Sequence, residues 1–170
     1  MANTYIVFNG PMTTSWIIPV ATGTGFKTLL QLKPAVPIEV VEWGASFDGS
    51  AAATPGSVQL VDTSTVGATV TAFAAADVMP YNDPNAPANT AGTSGTPLNL
   101  GTTHSGYTAS AEGTISSVRI LDPQQVSPTN QYVKQFPLGE RPKVPAGNFL
   151  RVQVKFGTTV NGTVYVIFAV

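Results

Sequence analysis

Cysteine is absent from the 170-residue chain, and charged residues make up only 10% of it. Without cysteine the chain forms no disulfides, no thiolate zinc or iron–sulfur sites, and offers no cysteine nucleophile. Its 8 basic and 9 acidic residues give a formal net charge of -1. So small a charge creates no long-range field that would attract nucleic acid or an anionic membrane surface. We therefore expect neither nucleic acid nor a membrane among its partners.

Long apolar runs and targeting segments are also missing. The densest apolar stretch, residues 164–170, is about a third of the roughly 20 residues that a membrane-spanning helix requires. Residues 1–10 lack the basic start and the apolar run of a signal peptide. The sequence thus predicts a protein without a signal peptide that is made in the cytoplasm.

Side chains suited to catalysis or metal binding are scarce. His104 is the one histidine, and the serine beside it would point to the opposite side of an extended chain, which argues against a catalytic pair. Glu39 and Glu42 are three apart in a predicted strand, so we expect them on opposite faces. Asp48 and Asp83 stand in turn-like sequences without the spacing of a calcium loop. We expect no enzyme, no cofactor and no metal site.

Hydroxyl-bearing and β-branched residues take the place of charge. The chain has 22 Thr and 11 Ser, and 43% of its residues are hydrophobic. Branching at Cβ favours a pleated surface over a helix, and the 16 Gly and 14 Pro interrupt every stretch that could form a long helix. The sequence predicts an all-β fold, an antiparallel β-sandwich or jelly roll, as one domain over residues 1–170.

Strand-like segments follow one another at short intervals, separated by turn residues. Ten are predicted: Thr4–Phe8, 15–20, 26–32, Ile38–Phe47, 57–62, 68–73, 114–122, 131–137, 149–156 and 163–170. In the ninth, apolar and polar residues alternate strictly, so one set of side chains should face the core. That set is Leu150, Val152, Val154 and Phe156.

The end of the chain carries a turn signal and an unusual strand. Asn161-Gly162 is the pair preferred by a type I′ turn and predicts a hairpin between the last two strands. The last strand is apolar on both faces, which indicates either a central position or an interface. Gly44, inside the fourth strand, indicates a bulge or a bend.

Residues 80–106 differ from the rest, because prolines, Asn, Ala, Thr, Ser and Gly replace any periodic pattern. Irregular loops beyond about 12 to 15 residues are uncommon in compact domains and are often functional. We interpret the segment as a long irregular loop. It is either a binding arm, with Tyr81, Asp83 and Tyr107 as candidate contact residues, or a mobile excursion lying over the sandwich.

Two stretches carry a resemblance to a known family. They are VVEWGASFDGSAAATP at residues 40–55, and NQYVKQFPLGERPKVPAG at residues 130–147 followed by LRVQV at 150–154. Both resemble small virion proteins of actinobacterial tailed phages, the β-sandwich capsid decoration or minor capsid proteins. The likeness extends loosely from residue 38 to the C-terminus. It implies a structural protein on the exterior of the capsid that binds the major capsid protein and stabilises the shell, and it carries over no catalytic residue.

Decoration proteins of this kind commonly form trimers, so the resemblance implies a homotrimer. The candidate interface comes from the last strand and from the segment around residue 137: Tyr132, Phe136, Leu138, Arg141, Tyr165 and Ile167. The first three are equally well explained as core residues. Two other functions stay open. One is a tail or baseplate protein of the virion, and the other is a carbohydrate-binding module whose aromatic platforms would come from Trp16, Trp43, Tyr81 or Tyr107.

Overall fold

The structure is a computed structural model that describes residues 2–11, 18–20, 25–49, 54–89, 96–115 and 118–170. Most of it consists of β-strands. This part of the chain contains thirteen strands and one short 3-10 helix, Ala75–Asp77. The strands are β1 Thr4–Phe8, β2 Ile18–Val20, β3 Lys27–Leu32, β4 Ile38–Phe47, β5 Gly56–Asp62, β6 Thr69–Ala72, β7 Met79–Pro80, β8 Gly106–Ala111, β9 Arg119–Val126, β10 Gln131–Gln135, β11 Lys143–Val144, β12 Leu150–Lys155 and β13 Val160–Ala169.

The strands form two antiparallel sheets that pack face to face. Sheet A has the order β10-β4-β13-β1-β7, with β11 also beside β4 and β2 also beside β13. Sheet B has the order β6-β8-β3-β12-β5-β9. The predicted all-β sandwich is thereby confirmed.

The core lies between the sheets and follows the predicted alternation. Sheet B contributes alternate residues of β12 and the first residue beyond its end. These four residues, each at most 1% exposed, are Leu150, Val152, Val154 and Phe156. Sheet A contributes Trp43 from β4 together with Val164, Val166 and Phe168 from β13. Burying one such aliphatic or aromatic side chain stabilises the fold by about 1.5 to 3 kcal/mol.

The predicted terminal hairpin is wrong, because β12 and β13 lie in different sheets. Asn161 and Gly162 are inside β13, where they pair with β2. The Asn161 backbone N–H and its amide Nδ2 donate to Asp48 Oδ1 and Oδ2 at 3.0 and 2.8 Å. This partner, 113 residues away in the sequence, satisfies the asparagine without the local turn that the Asn-Gly pair favours.

The bulge predicted at Gly44 is wrong in position. The register of β4 against β13 shifts between Val40 and Glu42, and the extra residue turns Glu39 and Glu42 toward the same face instead of opposite ones. The presence of glycine at position 44 has another explanation. A Cβ at this position would lie 2.5 Å from Cε1 of Tyr165, so any larger residue would have to displace the ring that lies across it.

Other strand predictions differ from the structure mainly at the edges. The seventh predicted strand, 114–122, is β9 at Arg119–Val126, while β7, β8 and β11 were not predicted. Strand β8 reads GYTASA, and its small and hydroxyl residues give no period-two hydrophobic signal. Of the predicted strand 15–20, residues 18–20 are β2, and residues 15–17 lie outside the described residues.

The described parts of the long loop, residues 81–89 and 96–105, pack on the sandwich. The Tyr5 hydroxyl donates to the carbonyl of Pro87 at 3.0 Å. Leu98 is buried, pairs with Pro34, and donates its N–H to Asn89 Oδ1 at 2.9 Å. These contacts anchor both segments against the sandwich.

Candidate assembly surface

The face of sheet A that points away from the core is mainly apolar in its middle, and polar residues such as Glu39, Gln135 and Ser46 lie around this centre. Its position follows from the strand register, in which residues paired across neighbouring strands share a face. Two rows cross the sheet, one through Ile6, Ile167 and Glu42 and the other through Phe8, Tyr165, Gly44 and Val133. We call these seven residues the sheet A outer face. Of them Val133 is the most exposed, at 50%.

Tyr165 lies at the centre of this face. Its hydroxyl donates to Glu42 Oε1 at 2.6 Å, and its ring centroid lies 5.8 Å from that of Phe8. Burial, and then the hydrogen bond to Glu42, raise the pKa of Tyr165 above its usual value. The bond satisfies the hydroxyl donor, and the ring supplies apolar surface beside it.

A groove of about 330 Å³ opens beside this face, and we call it the Leu138 groove. Leu138 is 83% exposed at the tip of a turn in which the Glu140 N–H donates to the Pro137 carbonyl at 3.0 Å. The lining residues are Ala2, Pro37, Ile38, Glu39, Leu138, Arg141, Lys143, Ala169 and Val170. Leu138 gives this lining an exposed apolar side chain, which makes it a candidate contact residue.

The six predicted interface residues divide into three pairs. Tyr165 and Ile167 belong to the sheet A outer face, and Leu138 and Arg141 line the groove. The groove adjoins the outer face, because Ala169 lies two residues beyond Ile167 on the same side of β13. Tyr132 and Phe136 pack against the core between the sheets. The alternative interpretation, in which Tyr132, Phe136 and Leu138 are core residues, is therefore wrong for Leu138. It agrees with the positions of Tyr132 and Phe136.

Tyr132 takes part in a polar contact between the two sheets. Its hydroxyl donates to Asp122 Oδ2 at 2.7 Å, and the same oxygen accepts a hydrogen bond from Trp43 Nε1 at 3.0 Å. The rings of Tyr132 and Trp43 are 5.3 Å apart. Asp122 belongs to sheet B, whereas the two aromatic residues belong to sheet A. The carboxylate thus connects the sheets at one side of the sandwich.

This arrangement predicts alkaline destabilisation through Tyr132. Burial, followed by the hydrogen bond to Asp122, raises the pKa of Tyr132 from 10.0 to about 12. Because the folded protein holds the phenolic proton more tightly than the unfolded chain, stability from this group is complete below pH 10 and is lost as the pH rises through about 12. Urea unfolding of the wild type and of Tyr132→Phe across this range should show a shallower pH dependence for the variant. Parallel curves would contradict the assignment.

The candidate arm residues lie in three different settings. Tyr81 is 61% exposed, and Asp83 caps its own turn by accepting the Asn85 N–H at 2.9 Å. Tyr107 lies in β8 rather than in the loop, and its ring packs 5.6 Å from that of Phe73. Tyr81 is therefore the exposed aromatic residue of the three.

The remaining candidates give no catalytic geometry within the described residues. His104 Nδ1 lies 3.2 Å from Thr103 Oγ1, and partial burial and then the charge of Lys33 lower the pKa of His104. Trp43 is fully buried, and Trp16 lies outside the described residues. Across the described ranges, no group of three or more His, Cys, Asp or Glu residues is placed to hold a metal ion.

Comparison with known proteins adds no assignment. No protein-family model matches the chain, and no curated protein matches it significantly. Among the helices of the described segments, none combines the length and the apolar character needed to cross a membrane.

Proposed function

We propose that this chain is a structural virion protein that decorates the outside of a tailed-phage capsid and stabilises the shell by binding the major capsid protein. The observation that carries the proposal is the adjacency of the two stretches that resemble such proteins. The first covers residues 40–47 of β4, and the second contains β10, which pairs with residues 42–46 of β4, and β11, which pairs with residues 38 and 39 just before the first stretch. The continuation of the second stretch at 150–154 is β12 of sheet B. The resemblance therefore falls mainly on neighbouring strands of sheet A.

The chemistry of that surface suits assembly. The sheet A outer face presents mainly Ile, Phe, Tyr and Val side chains, and its one carboxylate, Glu42, is hydrogen-bonded to Tyr165. Glu42 is the one charge of this face that a partner would have to desolvate, and interface cores are likewise depleted in charged residues. On a capsid lattice, contacts between neighbouring copies multiply weak individual affinities into strong retention.

Within the proposal, three copies associate through the sheet A outer face and the Leu138 groove. The exposed side chains Leu138 and Val133 would enter the contact between protomers. The loop segment that carries Tyr81, at the far edge of sheet A beside β1 and β7, would then remain free to contact the shell. No catalytic step is part of this function.

The combined substitution Leu138→Asp and Val133→Lys tests the proposed contact. Both positions are exposed, so the free energy of unfolding should stay within about 1 kcal/mol of the wild type. The wild type should sediment as a trimer and the variant as a monomer, and the variant should bind purified heads more weakly, because avidity depends on trimer formation. Analytical ultracentrifugation and a head-binding assay measure the two effects.

Val118→Lys is the matched control. Val118 is an apolar residue of similar exposure, 45%, and it precedes β9 of the opposite sheet. The control should remain trimeric and should bind heads like the wild type. If the wild type is already monomeric, or if the double variant assembles normally, the proposed interface is wrong. Binding to isolated tails but not to heads would favour the tail or baseplate alternative.

A further inference from the structure

A second concave surface lies on sheet B, on the opposite side of the molecule from the sheet A outer face. It is a groove of about 420 Å³ lined by Phe26, Ser57, Val58, Gln59, Pro123, Gln124 and Gln125. Strand register places Ser57 beside exposed Lys155, and Gln125 beside Ser57, on the face that points away from the core. We call it the Gln59 groove.

The lining is uncharged and combines two kinds of surface. Phe26 is 38% exposed, and its ring and that of Pro123 supply apolar surface. Gln59, Gln125 and Ser57 supply amide and hydroxyl groups, of which Gln125 Nε2 and Ser57 Oγ are 3.4 Å apart. Lys155 is a neighbour in the strand register but does not line the groove. A neutral ligand with both polar and apolar faces fits such a lining better than an ion.

Gln59 is held in place by a chain of hydrogen bonds below the groove. Its Nε2 donates to Gln153 Oε1 at 2.9 Å. Gln153 in turn donates to Thr28 Oγ1 at 3.2 Å, and the Thr28 hydroxyl donates to Glu112 Oε2 at 2.6 Å. These contacts fix the orientation of the Gln59 amide, leaving one N–H and its Oε1 available. A preorganised amide of this kind binds a ligand without first losing side-chain entropy.

From this arrangement we propose that the Gln59 groove binds a neutral saccharide. Sugar rings have hydroxyl edges that pair with side-chain amides and C–H faces that pack on aromatic and proline rings. Gln59 and Gln125 bind ring hydroxyls, and Phe26 packs against the C–H face. The groove is shallow and offers few contacts, so affinity for one sugar is of the order of 1 mM. Several copies on one particle would raise the avidity for a glycan-covered surface.

The test is a titration of the purified chain with neutral sugars, followed by NMR of the glutamine side-chain amides. The probes are glucose, galactose, mannose, N-acetylglucosamine, maltose, lactose and chitobiose. At least one should shift the Gln59 and Gln125 amide signals, and Gln59→Leu and Phe26→Ala should each weaken that binding by about tenfold or more. The variants' amide spectra report whether each one remains folded.

Gln135→Leu is the matched control, because it removes an exposed amide from β10 of sheet A. It should leave sugar binding unchanged. The proposal is overturned if no probe shifts the two signals at concentrations about tenfold above 1 mM, or if Gln135→Leu weakens binding as much as Gln59→Leu does. The result is independent of trimer formation, so its failure is distinguishable from failure of the proposed assembly.

Discussion

Replacing Asp122 with alanine is expected to lower the free energy of unfolding by about 3 to 5 kcal/mol. The carboxylate is buried and accepts three hydrogen bonds, from Trp43 Nε1 at 3.0 Å, the Tyr132 hydroxyl at 2.7 Å and Gln124 Nε2 at 3.1 Å. Removing it leaves donors from both sheets without an acceptor where little water can replace it. Urea denaturation measures the loss, and Asp122→Asn should lose less because it retains one carbonyl acceptor.

Asp48→Ala is the control for this experiment. Asp48 also accepts two hydrogen bonds, both from Asn161, but its side chain is exposed. Water can replace those bonds, so the loss should be less than about 1 kcal/mol. Equal losses at positions 122 and 48 would show that Asp122 has no special role in joining the sheets.

Arg151→Ala is expected to cost a similar amount, about 3 to 5 kcal/mol, at a different place. Arg151 is fully buried on sheet B. Its Nη1 donates to the Glu112 backbone carbonyl at 3.0 Å and lies 3.4 Å from Glu112 Oε2, and its Nη2 donates to the Val66 carbonyl. Truncation leaves the two backbone carbonyls without their donor and the Glu112 carboxylate, whose side chain is 30% exposed, without its cation.

A double substitution separates charge from packing in this pair. Arg151→Met with Glu112→Gln restores apolar volume and removes both charges, so it should recover part of the stability that Arg151→Ala loses. Lys143→Ala, which breaks the exposed pair with Glu39, should change stability by less than about 1 kcal/mol. If Arg151→Ala behaves like Lys143→Ala, the buried network contributes nothing.

Sequence pattern predicted the parts of the fold that local chemistry determines. The alternation at Leu150, Val152 and Val154 placed these residues in the core correctly. The same alternation would put Arg151 and Gln153 in solvent, whereas both are buried. They are covered by residues that are distant in the sequence, among them Glu112. A local hydrophobic pattern cannot reveal contacts with such distant residues.

The candidate surface could be predicted only in part for the same reason. The apolar character of both faces of β13 indicated that Tyr165 and Ile167 were unusual, and both lie on the sheet A outer face. Tyr132 looks equivalent in sequence but points to the interior, because the register of β10 against β4 sets it beside Ala45 and near Trp43. Register depends on long-range pairing, which the sequence does not display.

Quantitative mass spectrometry of separated heads and tails tests the central claim most directly. The proposed decoration role predicts many copies of the chain per head, in a fixed ratio to the major capsid protein, and none in purified tails. Heads that lack the chain, or a stoichiometric presence in tails alone, would contradict it.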